Sequence, residues 1–266
     1  MRALLLHVLF AMAALTTAPA AHAELDRTHA AWTALLREHV VLQDARGTAS
    51  RVDYAGFARD RAVLGAYLAA LARVAPSEFA ALPRADQIAF LINAYNAATV
   101  ELILGAYPKH ASIKDYGSLF RSAWQKPFVR LLSETLTLDQ IEHERLRGPR
   151  GYGEPRVHFA VNCASISCPM LREEAYTGAK LEAQLEEQTV RFLSDRSRNR
   201  FDGNTDTLQL SSIFDWYGED FAEGRLAIFL AHYAGALGAE RAALAKKDLE
   251  IAFLDYDWRL NDVRTR

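Results

Sequence analysis

Residues 84–106 form the most constraining segment of the chain, because their pattern predicts a long helix that is apolar on nearly every side. A helix of that kind is normally buried, so we expect it in the core. Two amides, Asn93 and Asn96, lie one turn apart on the same side of this helix. A buried amide without a partner costs roughly 1–3 kcal/mol. Both side chains are therefore expected to be hydrogen-bonded or to face a polar pocket.

The remaining periodicity predicts mostly helices, with short strands scattered between them. Apolar residues at helical spacing indicate further helices at 26–43, 58–74, 138–147, 178–194, 213–221 and 225–246. Two hairpins, at 128–138 and 200–210, and a final strand at 249–256 complete the pattern. We predict an α+β fold that is mainly helical, with a small mixed or antiparallel sheet that carries a strand at 156–162.

The N-terminal segment has the pattern of a secretory signal. An apolar run at 3–15 follows Arg2, and a small-residue cleavage signal ends at Ala23. The run is too short to span a bilayer comfortably, and no later window approaches a membrane span. We predict a removed signal peptide at 1–23 and a single globular domain at 24–266. The mature protein is expected to be periplasmic or secreted, without an integral membrane segment.

The charge balance limits the kind of partner. The chain has 31 Lys and Arg against 33 Asp and Glu, a formal charge of −2, and no basic stripe. This balance argues against a nucleic-acid-binding protein. Half of the residues are hydrophobic, which is ample for one sizeable core. The expected partner is a small molecule, a peptide or a protein of the cell envelope, and we predict no cofactor and no metal.

Both cysteines lie in one stretch, residues 156–169. The pattern predicts a short buried strand bearing His158, followed by a tight loop that holds Cys163 and Cys168 and ends at Pro169. This loop is the best place in the chain for chemistry, because it concentrates its nucleophilic side chains.

Several stretches together resemble the family catalogued as domain of unknown function 547. They are Asn93-Ala94-Tyr95-Asn96-Ala97, Leu138-Asp139-Gln140-Ile141-Glu142-His143, His158-Phe159-Ala160-Val161-Asn162-Cys163-Ala164-Ser165, Ser167-Cys168-Pro169, 213–221, Asp257-Trp258 and Leu260-Asn261. The resemblance spans roughly residues 80 to 261. It implies an exported globular domain and little about the substrate. Members often have Trp where this chain has Leu91 or Ile92, and a second Pro in place of Met170; these differences affect packing.

One hypothesis for the site is thiol catalysis, as in papain-like hydrolases and acyl transferases. Cys163 would be the nucleophile, a His its general base, and an Asn or Asp would orient that His. On a straight strand His158 and Cys163 would lie roughly 16 Å apart on opposite faces. They can form a pair only if the chain turns sharply at 162–164. Otherwise His143, on the neighbouring predicted helix, is the expected base.

The hypothesis that we favour from the sequence is a Cys163–Cys168 disulfide in a non-catalytic or ligand-binding domain. An exported pair of cysteines with four residues between them is more often a disulfide than a metal site. The polar side chains Asn93, Asn96, Asn162 and Asp257 would then line a ligand pocket or satisfy one another. A third and weaker hypothesis is a zinc site formed by Cys163, Cys168, His158 and His143. The aromatic side chains of Trp216, Tyr217, Tyr256 and Trp258 are most simply core residues.

Overall fold

The structure is a computed structural model that describes residues 25–118, 121–147, 151–244 and 249–265. The predicted signal peptide at 1–23 lies outside the described residues. The α-helices of the described parts are Ala30–His39 (α1), Tyr54–Arg59 (α2), Arg61–Ala72 (α3), Pro76–Ala81 (α4), Arg84–Leu104 (α5), Val157–Ala160 (α6), Leu181–Ser194 (α7), Ile213–Trp216 (α8), Leu226–His232 (α9), Ala234–Leu237 (α10) and Arg241–Leu244 (α11). Single turns of 3₁₀-helix lie at Ile113–Tyr116, Ala123–Gln125, Gly218–Asp220 and Ala222–Gly224, and a π-helix spans Gln140–Leu146.

Within the described residues, the strands are short and form three small separate sheets. Their bounds are Val40–Leu42 (β1), Ser50–Val52 (β2), Val129–Leu131 (β3), Glu134–Leu136 (β4), Arg200–Asp202 (β5), Thr207–Ser211 (β6) and Glu250–Leu254 (β7). The pairs β1–β2 and β3–β4 are antiparallel, and β6 pairs antiparallel with β5 and parallel with β7. The predicted α+β class with mainly helical content is confirmed, and both predicted hairpins form. The one mixed sheet is built from the end of the chain.

The predicted strand at 156–162 is wrong, because Val157–Ala160 forms the short helix α6. A charge-free run of this length has no periodicity that separates a strand from a buried helical turn. Tertiary packing decides the outcome here. Val157 and Ala160 lie in the hydrophobic cluster around α5, whereas Phe159 lies in a second cluster with Phe192. One helical turn places side chains on both sides, so α6 joins the two clusters.

Helix α5 is the centre of the first cluster, as its pattern predicts. Sixteen of its 21 residues are buried, including Asn93 and Asn96. Contrary to the expectation that no later window approaches a membrane span, α5 could cross one by length and composition, but 89% of its most apolar window is buried inside the protein. The helix contacts α2, α3 and the π-helix Gln140–Leu146. The elements that form the site therefore pack against α5.

The second cluster is rich in phenylalanine. Phe159 stacks on Phe192 with ring centroids 4.9 Å apart, and Phe221 lies 5.0 Å from Phe214. These rings connect α6, α7, α8 and the turn at Gly218–Asp220. Because Phe221 follows that turn directly, its burial fixes the position of Asp220 beside α6.

Candidate active site

The loop after α6 turns sharply and is held by two buried amides. The Nδ2 of Asn96 donates to the carbonyl of Ala160 at 3.0 Å, and its Oδ1 accepts from the backbone N–H of Asn162 at 2.8 Å. Asn162 in turn donates to the carbonyl of Pro169 at 2.7 Å and accepts from the N–H of Ala164 at 3.0 Å. Ala164 has a left-handed φ of 61°. The sharp turn that a Cys163–His158 pair requires is therefore present.

Asn93 and Asp257 support the same region without lining its cavity. Asn93 donates to the carbonyl of Tyr176 at 2.7 Å and accepts from its N–H at 3.0 Å, so it fastens the chain that leads into α7. The backbone of Asp257 pairs with Ser167, at 2.8 Å to Oγ and 3.2 Å from the Ser167 N–H. Its carboxylate pairs with Arg259. The four predicted binding residues thus hold the backbone of this region in place, three through their side chains and Asp257 through its main chain. Their role in binding a ligand stays a prediction.

A cavity of about 300 Å³ opens above the cysteine loop. Among the described residues, its walls bring together the predicted residues Cys163, Cys168, His143 and His158. The other lining residues are Tyr95, Ser122, Trp124, Asp139, Glu142, Val161, Pro169, Ile213, Trp216, Tyr217, Tyr256 and Trp258. The four aromatic residues that the sequence assigned to the core therefore line the cavity, and Trp216 is 43% exposed.

Cys163 is a free, half-buried thiol in the wall of this cavity. Its Sγ lies 3.1 Å from the hydroxyl of Ser165 and 3.2 Å from that of Tyr256. Burial raises the pKa of this thiol, but the hydrogen bonds from Cys168, Ser165 and Tyr256 outweigh it and leave the pKa below its ordinary value. A lowered pKa increases the fraction of thiolate, which is the nucleophilic form.

The predicted Cys163–Cys168 disulfide is absent, since both cysteines are free thiols. The sulfur of Cys168 lies over the backbone N–H of Cys163, at 2.8 Å from the nitrogen, and accepts a hydrogen bond there. Cys168 is buried, and burial together with the neighbouring Cys163 raises its pKa well above the ordinary value. The two thiols thus differ: Cys168 is held as a protonated structural group, and Cys163 carries the thiolate character.

His158 is buried and fixed by a carboxylate. Its Nε2 lies 2.7 Å from Oδ2 of Asp220, and its ring stacks on Tyr217 with centroids 4.3 Å apart. Asp220 also accepts from Nε of Arg147 at 2.8 Å. The hydrogen bond from His158 holds the pKa of Asp220 well below its usual value against the effect of burial, and Arg147 adds to this. An ionised carboxylate only accepts hydrogen bonds, so Nε2 of His158 carries the proton and Nδ1 is free to act as a base.

His143 lines the cavity from the π-helix but is engaged differently. Its Nδ1 lies 3.2 Å from Nη1 of Arg147, and its Nε2 lies 3.9 Å from Oδ1 of Asp139. A guanidinium can only donate, so Nδ1 of His143 is the acceptor in this contact. The side chain is about one-third exposed, at 34%. His143 is therefore a neighbour of the His158–Asp220 pair, to which Arg147 connects it.

Asp220 and Tyr217 were not expected at the site from the sequence. From the sequence, Asp220 is one of several carboxylates at helix and strand ends that give only weak support to paired-carboxylate hydrolysis, and it lies 62 positions from His158. The one available signal was the motif at 213–221, which the family resemblance singled out without assigning a role to its residues. Within the described residues, no group of three or more His, Cys, Asp and Glu side chains is arranged to hold a metal ion.

Fold and site together define an α+β protein in which a cysteine and a histidine line one cavity and an aspartate holds the histidine. Residues 79–193 match the family described as "Protein of unknown function, DUF547". The predicted resemblance to this family is therefore confirmed over residues 79–193. The match contains the buried amides, both cysteines, His143 and His158, and it ends before Tyr217, Asp220 and Tyr256. The comparisons with curated proteins and with solved structures found no match.

Proposed function

We propose that the protein is a cysteine-dependent acyl-transfer enzyme, a hydrolase or transferase, with Cys163 as nucleophile, His158 as general base and Asp220 as the group that orients His158. The observation that carries the proposal is the 2.7 Å contact of Asp220 with His158, which lines the same cavity as the free thiol of Cys163. A nucleophile, a base and a third group that fixes the tautomer of the base are the parts that such catalysis needs.

In the proposed reaction, Nδ1 of His158 takes the thiol proton and the thiolate attacks the carbonyl carbon of an ester, thioester or amide. A carbon–sulfur bond forms, and the negative charge moves to the carbonyl oxygen. The bond to the leaving group then breaks, and the imidazolium of His158 protonates that group. Water or a second acceptor, deprotonated by His158, attacks the acyl-enzyme and releases the thiol.

The hydroxyls of Ser165 and Tyr256 have two proposed roles in this sequence. They lie 3.1 and 3.2 Å from Sγ, where they stabilise the thiolate before attack. When the sulfur bonds to carbon, the same donors can turn to the developing oxyanion. Cys163 has to leave these hydroxyls to meet His158, because no hydrogen bond joins the two residues in the described structure. Catalytic contacts are often long in ligand-free enzymes and tighten with substrate.

His158 is proposed as the base in preference to His143 because of their hydrogen bonds. Nδ1 of His143 is occupied by Arg147. In the described part of the chain, Nδ1 of His158 has no partner, while its Nε2 is held by Asp220. This difference in hydrogen bonding supports His158 as the proposed base.

The test is the reactivity of Cys163 toward an alkylating reagent, followed by intact mass spectrometry across pH. We expect single labelling of the reduced wild-type protein at Cys163, with an apparent pKa below that of free cysteine, about 8.5. Cys168→Ser should still take a single label, at Cys163, and Cys163→Ser should not label. Asp220→Ala should leave labelling intact but abolish turnover in a panel of activated esters and thioesters. Labelling of Cys163 no faster than that of the unfolded chain, together with equal turnover by Cys163→Ser, contradicts the proposal.

A second candidate is an exported binding domain in which the two free thiols of Cys163 and Cys168 are oxidised to a disulfide after export. It is supported by the hydrogen bond between the two thiols and by the signal-like segment at 1–23. The closed loop of about six residues would contribute roughly 2 kcal/mol. Protein purified from an oxidising compartment, alkylated before and after reduction, separates the two. No label before reduction and two labels after it support the disulfide, and N-terminal sequencing at Glu24 would support export.

A further inference from the structure

The cavity beside Cys163 has carboxylates in its wall as well as the two histidines of the site. Asp139 and Glu142 are these carboxylates, and within the described residues no Lys or Arg is among the lining set. Glu142 is only 7% exposed. Its charge and its hydrogen bond raise the pKa of the buried Tyr95 hydroxyl, after the larger effect of burial, and its charge also acts on Arg147. A buried carboxylate is costly unless a cation pairs with it, and this neighbouring arginine is shared with other carboxylates.

Aromatic rings surround the same space. Trp216 and Trp258 stack with centroids 5.6 Å apart at 20°, and Trp124 meets Trp258 edge-on at 5.8 Å. The ring of Trp258 already receives a cation from outside, because Nζ of Lys114 lies 4.1 Å from its centroid. Tryptophan is the most favourable ring for a cation–π contact. An exposed tryptophan such as Trp216, beside a cavity, is available for a ligand.

Lys114 and Arg147 lie near the cavity without lining it, and Arg147 is shared between Glu142 and two further carboxylates. Arg147 stands against the Tyr217 ring at 4.7 Å from the centroid, and it is paired with Asp220 and Glu219. Asp139 faces His143, whose Nδ1 is occupied by Arg147. The thiolate form of Cys163 adds a further negative charge. The cavity therefore favours a positively charged group.

We infer that the cavity selects acyl donors that carry an alkylammonium group, as a lysine-like aminoacyl compound does, with Glu142 and Asp139 pairing with the ammonium and the tryptophans packing on its alkyl chain. The chemistry at Cys163 rests on the proposed function, but the recognition of the cation does not. A volume of about 300 Å³ is at the small end of ligand cavities, which suits one residue-sized group.

Binding is tested with Cys163→Ala, so that no turnover intervenes. Nα-acetyl-lysine methylamide and its uncharged counterpart, Nα-acetyl-norleucine methylamide, are titrated while tryptophan fluorescence is followed and the heat of binding is measured. We expect the lysine compound to bind at least about tenfold more tightly, the effect of one charge-assisted contact. Glu142→Gln in the same background should remove about tenfold of that affinity and leave norleucine binding unchanged. Glu78→Gln, an exposed carboxylate on α4, is the matched control and should change neither.

The outcomes for recognition and for catalysis are distinguishable. Equal affinity for the two compounds, or no binding of the lysine compound at millimolar concentration, overturns the inference even if the wild-type enzyme turns over neutral esters. Selective binding without any acyl-enzyme in the wild type supports the inference and contradicts the proposed function. Asp139→Asn provides a second variant if thermal unfolding shows that Glu142→Gln is not folded, and it should weaken lysine binding in the same direction.

Discussion

Asn96 is predicted to be the side chain that holds the nucleophile loop in place. Asn96→Ala would leave two buried backbone groups without partners, the carbonyl of Ala160 and the N–H of Asn162. Each such group costs roughly 1–3 kcal/mol, and because the two are neighbours we expect a combined loss of about 2–4 kcal/mol in the free energy of unfolding. For a chain of this size, that loss corresponds to a fall in Tm of about 5–15 °C.

Asn93→Ala is the matched control for Asn96→Ala. Asn93 lies one turn away on α5, is equally buried and also bonds two backbone groups, but those belong to Tyr176. Both variants should lose similar stability in urea unfolding. Only Asn96→Ala should move the alkylation pKa of Cys163 up toward its ordinary value, because only that variant loosens the loop that places Ser165 beside the sulfur. The same alkylation pKa in both folded variants, or a loss below about 0.5 kcal/mol for Asn96→Ala, would refute this reasoning.

Three further predictions concern stability. Burial lowers the pKa of His29 to about 4 from 6.5. As the pH falls, the unfolded chain therefore takes up the proton before the folded chain does. We expect the free energy of unfolding of the wild type to fall by about 3 kcal/mol between pH 6.5 and 4 relative to His29→Gln, measured by urea unfolding. The pKa of Asp220 is depressed, so the ionised carboxylate stabilises the folded protein above pH 3.8, and this stabilisation is lost as the pH falls below 3.8. The difference in the free energy of unfolding between the wild type and Asp220→Asn should therefore shrink below pH 3.8 and stay constant above pH 5. Gly65→Ala, in an open position of α3, should raise stability by about 0.5–1 kcal/mol, whereas Gly56→Ala should lower it because a Cβ there meets the ring of His39. Equal thermal shifts for the two glycine variants would contradict the last expectation.

The parts of the fold that were predictable are those with a long or locally coded signal. Helix α5 follows from its apolar composition, and the start of the π-helix follows from the capping residues: Thr137 Oγ1 accepts from the N–H of Gln140, and the Gln140 side chain accepts from the N–H of Thr137. The hairpin at 128–138 follows from alternation and a tight turn. In these segments the residues that determine the secondary structure are neighbours in sequence, so the local sequence pattern is enough to predict it.

The strand expected at 156–162 failed for the opposite reason. The conformation of this segment depends on the hydrophobic cluster in which each of its side chains is buried. Those clusters are formed by segments that are distant in the sequence. The same holds for the site. Cys163 and His158 could be chosen from the sequence because they are chemically distinctive. Asp220 could not, because an aspartate becomes an orienting group only when Phe221 is buried beside α6, and no local pattern reports that packing.

The substitution of a helical turn for a strand changes the chemistry that the loop can support. On a strand, His158 and Cys163 would face opposite sides, and the base would have to come from another element. In α6, Phe159 packs into one cluster while Val157 and Ala160 pack into the other, so the ring of His158 is left at the boundary, toward the cavity. His158, the proposed base, is thus placed by hydrophobic packing, and Cys163, the proposed nucleophile, by buried amide hydrogen bonds. Because these two supports are independent, a packing change such as Phe159→Leu should disturb the orientation of His158 without altering the alkylation pKa of Cys163.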